Sequence, residues 1–153
     1  FTHGTTYAGA DTVTSWTDGT DKIGLAGIST DDFSLVGTLS AASALASDVA
    51  IDVADNKVLL AEAANKATID TAAEVIAATA NGQILDAVDV AASADAWLLI
   101  GGADDDTTQF LYKIDNNATA AIATGEVILV ATLTTDAAAG MEGFAAGDFD
   151  FTL

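Results

Sequence analysis

Ala96-Trp-Leu-Leu-Ile100, Gln109-Phe-Leu-Tyr-Lys-Ile114 and Glu126-Val-Ile-Leu-Val-Ala-Thr-Leu133 decide the fold class. Each is a short run rich in β-branched, aromatic and leucine residues, bounded by Gly, Asp, Asn or Thr, which is how a buried strand reads. The acidic stretch 101–108 separates the first two runs, and Phe149-Asp-Phe151 adds a closing strand. Working back toward the start, Asp11-Thr-Val-Thr-Ser-Trp16 alternates like a half-buried strand. Thr17-Asp-Gly-Thr-Asp21 carries the Asp-Gly pair of a hairpin turn, and Lys22-Ile-Gly-Leu25 is the expected return strand. Val49-Ala-Ile-Asp-Val53 and Val58-Leu-Leu-Ala61 flank the polar Ala54-Asp-Asn-Lys57 as a second expected hairpin, and residues 84–90 alternate as a further strand.

Helical signals are fewer. Asp70 or Thr71 caps a helix, with Glu74 three residues after Thr71 as a capping box. Ala72, Val75, Ile76 and Thr79 form its apolar face, and Asn81-Gly82 supplies a left-handed stop. Ser29-Thr-Asp-Asp-Phe33 reads as a single capped turn, while the alanine-rich residues 39–50 fit helix or strand. The expectation is a mainly β chain: an antiparallel sandwich or roll-like domain with one or two short helices, occupying residues 1–153 as one acidic unit. The start at Phe1-Thr-His3, with no Met and no basic segment, suggests a processed or C-terminal piece of a longer protein.

Charge narrows the function. Four lysines and no arginine stand against 23 Asp and Glu, a formal net charge of -19 over 153 residues. Such a surface repels nucleic acid and anionic lipid and lacks the guanidinium forks that grip phosphate, so neither is an expected partner. Self-repulsion opposes compaction, so folding should respond to salt or divalent cations. Disorder is not implied, because 51% of residues are hydrophobic and the mean hydropathy is +0.41. No apolar run approaches the roughly 20 residues of a spanning helix, so membrane insertion is not expected. The absence of cysteine and the single histidine, His3, exclude thiolate and zinc-cluster chemistry, and no catalytic motif stands out. An enzyme is not expected.

Calcium suits this residue set, because a hard cation takes carboxylates together with the oxygen-rich turns that Asp, Asn and Gly build. Counted from Asp115, oxygen ligands fall at the first, third, fifth and twelfth places of a loop: Asp115, Asn117, Thr119 and Glu126. This is EF-hand spacing in a β context, although Ala120 stands where that loop has Gly. Asp18 and Asp21, with Asp11 nearby, mark a second acidic turn, and Asp104, Asp105 and Asp106 a third. Trp16, Phe33, Trp97, Phe110 and Tyr112 lie in strand patterns and are read as core, the alternative being a platform for surface glycans. Gly27-Ile-Ser-Thr-Asp-Asp-Phe33 and Gly143-Phe-Ala-Ala-Gly-Asp-Phe149 repeat one device, a short turn running through Asp-Phe into a strand.

Gly9-Ala-Asp-Thr-Val-Thr-Ser-Trp-Thr-Asp-Gly-Thr-Asp-Lys-Ile-Gly-Leu25 resembles the segment that follows the glycine-rich repeats of RTX proteins, which leave bacteria by type I secretion. There a strand D-T-[IV]-T-D-[FW] runs into G-T-D-K-I-D-L. The matching positions are Asp11, Thr12, Val13, Trp16, Gly19, Asp21, Lys22, Ile23 and Leu25, while Ser15 and Gly24 replace the second Asp of each pattern. The end of the chain, from Trp97 to Phe144-Ala-Ala-Gly-Asp-Phe-Asp-Phe-Thr-Leu153, is similar to the C-terminal region of the same proteins. Together the two stretches span roughly half the chain. The G-G-x-G-x-D nonapeptides of the family are missing, Gly101-Gly-Ala-Asp104 being a single poor echo. The resemblance implies an extracellular, cell-surface protein that folds on binding calcium. The expected role is a structural subunit of a surface layer, sheath or filament, forming homo-oligomers or polymers. An adhesin or carbohydrate-binding module, and an accessory domain of a secreted hydrolase, are the alternatives.

Overall fold

A computed structural model describes residues 10–17, 19–24, 49–51, 57–63, 70–78, 88–90, 95–102, 107–115, 123, 125–135, 144 and 148–150. In chain order these contain β1 (Asp11–Trp16), β2 (Ile23–Gly24), β3 (Val49–Ile51), β4 (Lys57–Ala63), α1 (Ala72–Ala78), β5 (Val88–Val90), β6 (Asp95–Gly102), β7 (Thr108–Asp115), β8 (Val127–Thr135) and β9 (Phe149–Asp150). The chain is mainly β with one short helix among the described residues.

The main sheet has five strands in the order β1-β8-β7-β6-β4. The three runs that announced the fold form its centre, β6 antiparallel to β7 and β7 antiparallel to β8. Residues 96–100 are buried without a break, as happens when a strand is covered on both faces. One face carries Trp97, Leu99, Leu111, Ala131 and Leu133, against which Trp16, Ile23, Phe144 and Phe149 pack. The other carries Ala96, Leu98, Ile100, Phe110, Tyr112 and Ile114, all buried, with the Phe110 and Tyr112 rings 6.5 Å apart. An extra residue in β8 shifts the pairing, so that Leu111 faces Ala131 and Tyr112 faces Leu129.

Two expected hairpins are corrected. β1 does not pair with β2; it lies parallel to β8, and β2 lies parallel to β9. Likewise β4 runs parallel to β6, and β3 parallel to β5. The sheet is therefore mixed, antiparallel at its centre and parallel at both outer pairs. The physical reason is that a polar Asp-Gly or Asp-Asn loop specifies a local change of direction but not the partner of the strand that follows. In β1 and β4 the apolar residues are matched by distant, more apolar strands. The turn between β1 and β2 does form, but it directs the chain into a second ladder. The proposed turn at residues 29–33, the alanine-rich residues 39–48 and the stop at Asn81-Gly82 lie outside the described residues; Val49 and Ala50, the end of the alanine-rich stretch, belong to β3.

A β-bulge brings both apolar residues of β1 to one face. Its pairing with β8 slips between Val13 and Trp16, and Ser15 sits there at φ +59°. Strict alternation would put an odd-numbered and an even-numbered residue on opposite faces. The slip reverses that parity, so Val13 and Trp16 join the same cluster. Left-handed backbone is costly for a side-chain-bearing residue and more so for a β-branched one. Ser15→Gly should therefore leave stability unchanged or raise it by up to about 1 kcal/mol, whereas Ser15→Val should lower it by about 1–2 kcal/mol. Midpoints of urea unfolding for the two variants check this.

The expected capping box forms at α1. The Thr71 hydroxyl donates to Glu74 Oε2 (2.6 Å), the Thr71 N–H donates to the same oxygen (3.0 Å), and the Glu74 N–H donates back to Thr71 Oγ1 (3.3 Å). The Thr71 hydroxyl holds the Glu74 carboxyl below its ordinary range, and the hydrogen bond with Glu74 holds Asp70 above its own. Val75 is fully buried, and α1 packs against β8. Burial holds the Tyr112 phenol above its ordinary range, and the negative charges of Asp70 and Glu74 push it in the same direction.

Candidate cation-binding turns

The turn after β1 is built by its own backbone and by acidic side chains from two parts of the chain. The Thr17 carbonyl accepts from the N–H groups of Thr20 (3.1 Å) and Asp21 (2.9 Å), and Gly19 takes φ +69°. A methyl group at Gly19 would meet nothing within 4 Å, so glycine is needed there for its backbone angle and not for space. Asp21 turns back to accept from the Thr17 N–H at 2.9 Å. The Gly19 N–H donates to Asp148 Oδ1 at 3.2 Å, from a residue 129 positions away. Asp148 is 3% exposed. Two carboxylates thus converge on the turn at residues 17–21, where each satisfies a backbone donor. Asp21 keeps acceptor capacity beyond that one bond, since a carboxylate offers about four lone-pair sites. Asp11 is exposed at the start of β1, and Asp18 lies outside the described residues.

The EF-hand-like spacing falls between β7 and β8. Its first and twelfth residues are brought together by the backbone, the Asp115 N–H donating to the Glu126 carbonyl at 2.8 Å. The side chains are engaged nearby. Glu126 Oε2 accepts from the Ala123 N–H at 2.6 Å, while the Glu126 N–H reaches the Ala123 carbonyl at 3.1 Å and Gly125 takes φ +96°. Asp115 Oδ2 lies 3.9 Å from Lys113 Nζ. A Glu folded over its own turn shapes the stop before β8. Asn117 and Thr119 lie outside the described residues, as do Asp104 and Asp106. Among the described residues no group of three or more acidic or histidine side chains stands ready to hold a metal.

Sequence reasoning passed over Asp148 as a site residue. Its signal was the repeated Asp-Phe device: Asp148 directly precedes Phe149, which opens β9, while residues 143 and 145–147 of that copy lie outside the described residues. Trp16 and Trp97, 2% and 3% exposed, belong to the core with Phe110 and Tyr112, whereas Phe33 lies outside the described residues. No described helix is long and apolar enough to cross a membrane. No family model, curated protein or solved structure matches the chain.

Proposed function

We propose that this chain is an extracellular, calcium-stabilised structural subunit, exported by type I secretion and built to associate with further copies of itself. The observation that carries the reading is the net charge of -19 on a chain that still buries a two-faced β core. Carboxylates at this density repel one another, and divalent cations supplied outside the cell relieve the repulsion at acidic turns within and between copies. The turn at residues 17–21, to which Asp21 and Asp148 each bond through a backbone N–H, and the Asp115 and Glu126 strand ends are the places where such an ion would find oxygen. The resemblance to RTX proteins supports the export route. A glycan platform built on tryptophan draws no support, because both rings are enclosed.

Thermal unfolding in calcium, in chelator and in sodium chloride of matched ionic strength tests the reading. Extracellular modules bind calcium at roughly 10⁻⁴–10⁻³ M. At 10 mM, mass action on one such site adds about 1.4–2.7 kcal/mol, or roughly 3–10 °C in a domain of this size. Calcium should raise the midpoint beyond the matched salt, and native mass measurement in calcium should show multimers. Equal midpoints in calcium and chelator would be fatal to the ion's role, and monomer at every concentration to the assembly.

A further inference from the structure

We draw no further inference here: the strongest candidate, the threonine row at one end of the main sheet that pairs Thr12 with Thr132 and Thr134 with Thr108, is broken by the bulge between Val13 and Trp16, and nothing in the structure shows what covers it.

Discussion

Leu111→Ala should cost about 2–5 kcal/mol, the range for deleting a fully enclosed leucine and leaving a cavity. Leu111 lies in the middle of β7, between Leu99 of β6 and Ala131 of β8, with no exposed surface. It also belongs to the cluster that receives Trp16 and Phe149. A domain's total stability is about 5–15 kcal/mol, and here like charges work against folding in dilute salt. The variant should hold its fold in molar salt and lose it, wholly or in large part, at low ionic strength. Thr12→Ala, on the exposed side of β1, should change stability by less than about 0.5 kcal/mol under both conditions. Urea titrations at two salt concentrations decide the matter; equal effects at the two positions would mean that β7 is not the centre of the core.

Alkaline titration should show an equally large effect through Tyr112. Burial pushes its phenol well above the ordinary value near 10, and the negative charges of Asp70 and Glu74 push it in the same direction. Below pH 10 the phenol is neutral in both the folded and the unfolded chain, so its favourable burial is fully present. As pH rises past 10 the unfolded chain ionises while the folded chain does not. Stability should then fall by up to about 1.4 kcal/mol per pH unit. In a Tyr7→Phe background, which leaves Tyr112 as the one tyrosine of the sequence, the 295 nm absorbance should rise only together with loss of the β-sheet circular dichroism signal, and Tyr112→Phe should flatten the alkaline slope. Reversible ionisation near pH 10 with the sheet intact would show that the phenol reaches water.

What was legible in the sequence was local. β6, β7 and β8 stood out because a strand covered on both sides must be apolar at successive positions, and a nine-residue strand such as Val127–Thr135 cannot hide that. The start of α1 was legible because Thr71 and Glu74 satisfy each other three residues apart. Partner choice was not legible. The Asp-Gly turn at Gly19 suits a hairpin, and only the match of Val13 with Leu133 and of Ile23 with Phe149 reveals the parallel ladders. Such matches are spread over the whole chain and leave no short-range pattern. The bulge at Ser15 was concealed for a related reason, since two apolar residues of opposite parity read as irregular alternation. At the acidic turns the residue types were visible, but not that Glu126 spends an oxygen on Ala123 or that Asp148 arrives from the far end.

The parallel outer strands carry a consequence for the order of events in folding. Asp11 sits opposite Ala131, so β1 has no partner until β8, far along the chain, has been made. Chains ruled by distant encounters of this kind reach their native state in milliseconds to seconds, not microseconds. During that wait the leucine-rich middle strands are uncovered and prone to pair with those of neighbouring molecules. The electrical repulsion that weakens the finished domain is what keeps unfinished chains apart.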